Sequence, residues 1–96
     1  MPAVEIVEVA ARDGLQNENS VVSTAAKLEL IDRAIRAGAR RLEVTSFVNP
    51  ARVPQMADAE AVVAGLPRRD DVTYIALVLN RRGAERALAS GVDELG

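Results

Sequence analysis

Apolar positions along the chain switch repeatedly between a strand-like and a helix-like spacing. Val4 to Val9 (VEIVEV) is short, rich in Val and Ile, and breaks at Asp13-Gly14, which predicts a strand running into a loop. From Ser23 to Gly38 the spacing of Leu28, Ile31 and Ile35 predicts an amphipathic helix. Glu29 to Arg33 and Asp32 to Arg36 support it as i,i+4 pairs, Ser23 or Thr24 can cap its start, and Gly38 suits its end. Arg41 to Phe47 (RLEVTSF) predicts a second strand. Val48 to Met56 carries Pro50 and Pro54 and reads as a loop, after which Asp58 is expected to cap a short helix to about Leu66. Val72 to Leu79 is nearly apolar throughout, as expected of a parallel strand covered on both faces, and Asn80 ends it. Arg82 to Ser90 predicts a third helix with Gly91 just past its end, and Val92 to Leu95 begins a fourth strand.

The stretches Ala34 to Leu42 and Ala87 to Leu95 both read helix, Gly, next strand, so one supersecondary unit repeats. The fold class is therefore α/β, built of parallel (β/α) units, with the strands in the order 1-2-3 and right-handed crossovers. Three units and the start of a fourth make roughly three eighths of an eight-unit barrel, and 96 residues fall well short of the about 250 that a complete barrel needs. A doubly wound sheet would read similarly, but Ala11 to Gln16 lacks the G-x-G-x-x-G fingerprint and any Walker A loop. Residues 1–96 are thus expected to form one partial domain, the N-terminal part of a TIM barrel.

Composition narrows the partners. The chain is 49% hydrophobic and 27% charged with a net charge of −2, a globular balance with no electrostatic footprint for nucleic acid or an anionic membrane. It has no Cys and no His, so any metal it binds must take oxygen ligands, which suits Mg²⁺ or Mn²⁺. No apolar stretch approaches transmembrane length and the start MPAVEIVEVAARDG lacks signal-peptide features, so a cytoplasmic setting is expected.

Candidate chemistry gathers where strands end and βα loops begin. Asp13 is a candidate hard-cation ligand, and the fork of Arg12 suits a carbonyl or carboxylate oxygen; an Asp-Gly turn with a solvated Arg would read the same. Alternation in the second strand puts Glu43, Thr45 and Phe47 on one face and Leu42, Val44 and Ser46 on the other. If the apolar pair meets the helices, Glu43 points into the barrel and needs a cation, for which Arg12 is the nearest candidate. The alternative is a Glu43 hydrated at the strand mouth. The loop Ser46 to Met56 suits a stiff substrate-binding segment or a plain connector, and Arg68 to Asp71 reads as a solvated turn.

VEIVEVAARDGLQNE at Val4 to Glu18, AGARRLEVTSFVNP at Ala37 to Pro50 and VPQMAD at Val53 to Asp58 resemble the N-terminal part of the hydroxymethylglutaryl-CoA lyase family. The related isopropylmalate and homocitrate synthases share the RDG element but usually carry an acidic residue where this chain has Leu15. The resemblance implies a metal-dependent (β/α)₈ enzyme that splits hydroxymethylglutaryl-CoA, an acyl-CoA substrate, into acetyl-CoA and acetoacetate, with a place in leucine degradation and ketone body metabolism. It implies Asp13 as a ligand of the divalent metal (Mg²⁺ or Mn²⁺), Arg12 as the catalytic arginine that steadies the enolate oxygen, and Glu43 as the catalytic glutamate; Arg12, Gln16 and Ser46 are implied in the substrate pocket. The family's other metal ligands, two His of an H-x-H element and an Asn, and a catalytic Cys on a late loop fall beyond the position matching Gly96. Residues 1–96 alone are therefore expected to be an inactive N-terminal piece. Ala51 stands where many relatives have a basic residue. A Claisen-type condensing synthase relative, and a non-catalytic module whose open sheet edge pairs with another chain or a second copy, are the competing expectations.

Overall fold

In the computed structural model, residues 7–14, 22–49 and 51–96 are described, the side chains of Ala10 and Asp13 excepted. The segment after Ser23 forms helix α1 (Thr24–Arg36), whose buried stripe is Lys27, Ile31 and Ile35 at a four-residue repeat. Ser23 caps it, its hydroxyl accepting from the Ala26 N–H at 3.2 Å, and Gly38 ends it with φ of 110°, the left-handed conformation glycine adopts without steric cost. Both expected i,i+4 pairs form, Arg33 to Glu29 at 2.7 Å and Arg36 to Asp32 at 2.9 Å. Strand β1 (Arg41–Phe47) follows, then a 3₁₀ turn over Pro54–Met56, helix α2 (Ala59–Gly65), strand β2 (Thr73–Val78), helix α3 (Arg81–Ser90) and strand β3 (Glu94–Leu95).

The strands form a parallel sheet in the order β1-β2-β3. The strand expected at Val4 to Val9 lies partly outside the described residues; what is described of it makes a single parallel bridge, Glu8 to Leu42, on the free side of β1. Strand order thus follows chain order, as in the successive βα units of a barrel. At the start of α3, Asn80 does more than end a strand, since its side-chain oxygen accepts from the Gly83 N–H at 2.8 Å. Gly83 lies so close to the Phe47 carbonyl that any Cβ there would collide with it, which lets α3 settle onto the end of β1.

The register of β1 corrects the expected alternation. Glu43 pairs with Ile75 but Thr45 pairs with Ala76, so Val44 is the extra residue of a β-bulge. Partners in a parallel sheet share a face. Glu43 with Ile75 and Ser46 with Leu77 therefore lie on one face, while Leu42 with Tyr74, Thr45 with Ala76 and Phe47 with Val78 lie on the other. Thr45 and Phe47 have changed sides with Ser46 relative to strict alternation. The apolar side is the core, where Leu42, Val44, Phe47, Tyr74 and Ala76 pack with Ile31 and Ile35 of α1, Val62 and Val63 of α2 and Ala87 of α3. Each of the Leu, Val, Ile and Phe side chains among them contributes about 1.5–3 kcal/mol, so the helix-facing side carries much of the stability of the sheet.

Candidate functional site

The site begins where the first strand stops. The Glu8 N–H donates to the Arg41 carbonyl at 2.9 Å and the Glu43 N–H donates back to the Glu8 carbonyl at 2.8 Å. Beyond Val9 the chain leaves the sheet in one π-helical turn, Ala10–Gly14, closed by the Gly14 N–H on the Val9 carbonyl at 3.3 Å. That turn puts Arg12 level with Glu43. Its Nε and one terminal nitrogen both lie 2.7 Å from Glu43 Oε1. The two side chains are 15% and 20% exposed, shielded enough that a lone carboxylate would be costly, so the guanidinium is the partner that Glu43 requires.

Three residues further along the same face, past the bulge, comes Ser46. It is fully buried, and among the described residues its hydroxyl has no hydrogen-bond partner. A buried hydroxyl left unpaired costs about 1–3 kcal/mol, so a water or a bound group is the partner that the Ser46 hydroxyl calls for. Its position on the Glu43 face depends on the bulge at Val44.

Of the other expected site residues, Asp13 has its backbone inside the π-turn directly after Arg12, with its side chain outside the described residues. Gln16 lies outside them altogether. Among the described residues no group of three or more His, Cys, Asp or Glu is arranged to hold a metal ion. At the carboxyl ends of β1 and β2 a cleft of about 340 Å³ opens against the first turn of α3, lined by Phe47, Asn49, Asn80 and Arg86 among others. Arg86 is held there by Glu60, through two bonds of 2.7 Å, with its guanidinium 5.2 Å from the centre of the Phe47 ring. The bond from Arg86 holds the Glu60 carboxyl below its usual range against the opposing effect of burial.

Two expectations away from the site resolve differently. Asp58 stands at the N-cap position of α2 but makes no capping bond. Its carboxylate instead takes a 2.5 Å bond from Lys27 on one oxygen and a 2.5 Å bond from the Thr24 hydroxyl on the other. Arg68 to Asp71 is exposed as expected, with Arg69 forked onto Asp71 at 2.9 and 3.0 Å. Sequence reasoning missed Lys27, although it is the chain's one lysine and heads the i, i+4, i+8 stripe completed by Ile31 and Ile35.

No family model matches the chain. Whole proteins do. The chain is 50% identical over 92 residues to the 3-hydroxy-3-isohexenylglutaryl-CoA/hydroxy-methylglutaryl-CoA lyase of Pseudomonas aeruginosa, covering 96% of this chain and 31% of that protein. It is 49% identical over 92 residues to the mitochondrial hydroxymethylglutaryl-CoA lyase of Macaca fascicularis, covering 96% of this chain and 28% of that one. Among solved structures, the hydroxymethylglutaryl-CoA lyase of Pseudomonas aeruginosa superposes with a TM-score of 0.92 at 50% identity over 96% of this chain and 31% of its own. The lyase of Acinetobacter baumannii, solved with coenzyme A and 3-methylmalate, superposes with a TM-score of 0.91 at 38% identity over 99% of this chain and 32% of its own. The chain thus spans about 30% of the length of the relatives it matches. In sequence, and in the run of parallel strands and covering helices, it corresponds to the N-terminal part of the TIM-barrel hydroxymethylglutaryl-CoA lyases.

Proposed function

We propose that this chain forms the N-terminal part of a carbon-carbon lyase that cleaves hydroxymethylglutaryl-CoA to acetyl-CoA and acetoacetate, and that residues 1–96 are one partial barrel domain of it. The observation that carries this reading is the Arg12–Glu43 pair, with an unpartnered buried Ser46 hydroxyl on the same sheet face. The relatives named above are lyases, which favours cleavage over the condensing alternative. One of them was solved with coenzyme A, which supports an acyl-CoA substrate.

In this reading the substrate's tertiary hydroxyl gives up its proton, its carbon becomes the ketone of acetoacetate, and the electrons of the broken carbon-carbon bond pass to the thioester enolate, which is then protonated. Glu43 fixes the guanidinium of Arg12, and Arg12 offsets the charge that develops on the thioester oxygen. Ser46 offers its hydroxyl to a substrate oxygen, and Gln16 is assigned to substrate binding by its motif position alone. Asp13 would help to hold a divalent ion, Mg²⁺ or Mn²⁺, which when bound would polarise the substrate oxygens. The donor chemistry fits a hard cation only in part. Asp13 follows Arg12 in the turn and offers one carboxylate, with no cluster of ligands among the described residues to complete it. In the family that the chain resembles, the remaining ligands and the late-loop Cys fall beyond the position matching Gly96.

The test is turnover of hydroxymethylglutaryl-CoA with Mg²⁺ or Mn²⁺ by two purified proteins, the 96-residue chain and a chimera in which residues 1–96 replace the matching part of the Pseudomonas aeruginosa lyase. The expected result is turnover by the chimera alone, because one carboxylate holds a divalent ion too loosely to orient substrate. Equal turnover by the short chain would refute the site assignment. An inactive but folded chimera would refute the lyase reading.

A further inference from the structure

The one lysine of the chain is also one of its most deeply buried side chains, 1% exposed. A leucine at position 27 would continue the apolar stripe of α1 at no cost in desolvation, and buried ion pairs replaced by apolar residues often leave stability unchanged or improve it. Stability alone therefore does not account for a lysine here. What the lysine does that a leucine would not is hold backbone. Its Nζ donates to the Gln55 carbonyl in the 3₁₀ turn and to Asp58 Oδ1 at 2.5 Å. The Asp58 carboxylate is drawn away from capping α2 to complete this cluster, and its second oxygen takes the Thr24 hydroxyl. Two residues of the segment after β1, Gln55 and Asp58, are thus held by the first turn of α1.

The segment so held contains Met56. It is 1% exposed, and its sulfur lies 3.9 Å from the Thr45 hydroxyl. Thr45 is the first residue after the bulge at Val44 and the immediate neighbour of Ser46, on the opposite face of β1. A continuous line of contacts runs from Lys27 through the turn and Met56 to the backbone step that sets which way Ser46 points.

We propose that Lys27 is a positioning residue, a buried ammonium that pins the turn Pro54–Met56 to α1 and, through Met56 and Thr45, keeps the bulge of β1 in the register that presents Ser46 on the Glu43 face. The proposal rests on the lyase reading for its consequence in catalysis, and on the geometry alone for its consequence in the loop.

The experiment compares the chimera with its Lys27→Met variant and its Lys27→Met/Asp58→Leu double variant. The single variant leaves a shielded carboxylate unpaired and is expected to lose stability. The double variant removes both charges and is expected to regain a wild-type melting temperature. If the lysine positions the loop, the double variant still exchanges the Met56 and Ala57 amides faster than wild type, as their bonds to the Val53 and Pro54 carbonyls loosen, while amides of α3 and β2 stay protected. Its kcat is expected to fall on the order of tenfold to a hundredfold, with KM changed less. A stable double variant with wild-type exchange at Met56 and Ala57, or one with faster exchange and undiminished kcat, would overturn the proposal. An inactive wild-type chimera would strike the lyase reading instead, and the exchange comparison would still decide whether Lys27 pins the loop.

Discussion

On the side turned to the helices, β1 contributes Leu42, Val44 and Phe47, each at most 1% exposed and each packed against apolar side chains. On the other side the same strand carries Glu43, matched to Arg12 by 2.7 Å contacts, and Ser46, fully buried with its hydroxyl unbonded among the described residues. One strand, three residues apart, thus holds a face packed on apolar side chains and a face that leaves the Ser46 hydroxyl unbonded among the described residues. The first kind of face is what packing selects. The second costs stability and is kept where chemistry needs pre-placed groups. The bulge separates the two, because without it Ser46 would turn toward the helices and Phe47 away from them.

The comparison breaks most easily on the helix side. Phe47→Ala empties a fully buried site and removes the ring beneath Arg86, so a loss of about 3–5 kcal/mol is expected, measurable by denaturant or thermal unfolding. A loss under about 1 kcal/mol would show that this face does not carry the fold. On the other face Ser46→Ala is expected to leave the melting temperature unchanged or slightly raised, since the hydroxyl makes no bond to lose, while the KM of the chimera for hydroxymethylglutaryl-CoA rises several-fold, as for a lost hydrogen bond of about 1 kcal/mol. Clear destabilisation with unchanged KM would make Ser46 an ordinary core residue.

The smallest effect belongs to the Glu60–Arg86 brace. Arg86 holds the Glu60 carboxyl below its ordinary range, so the pair's stabilisation is present above the unfolded value of about 4.3 and disappears as pH falls through the lower folded value. Glu60 is 52% exposed at its side chain, and solvent screening keeps the contribution within about 1 kcal/mol. Glu60→Gln is expected to flatten the acid limb of a stability-against-pH curve by no more than that. A variant curve parallel to wild type below pH 5 would remove the brace from the account.

Periodicity made much of this legible. The β1 bounds fall where the RLEVTSF pattern puts them, α1 starts at its Ser23 cap, and α3 and β2 lie within a residue or two of their expected limits. Glu43 toward Arg12 was also legible, because a carboxylate opposite Leu42 and Val44 needs a cation. The faces of Thr45, Ser46 and Phe47 were not, since a bulge is set by how two strands meet and leaves no mark in the residue pattern of one. Asp58 was misread for a related reason. Its local preference is to cap α2, but Lys27, distant in sequence, competes for the same carboxylate and wins with a charge-assisted bond. Asp13 and Gln16 rest on the motif alone.

In the proposed function the Glu43 face of β1 exists for chemistry. Its most direct test is the kcat/KM of the chimera carrying Glu43→Gln, compared with wild type at equal folded fraction with saturating Mg²⁺. The substitution keeps the shape of the side chain and a carbonyl oxygen for Arg12 while removing the charge that fixes the guanidinium. A fall on the order of 10² to 10⁴ with the fold intact is the expected result; kcat/KM within a few-fold of wild type would mean that the Arg12–Glu43 pair is a structural ion pair and that the face has been misassigned.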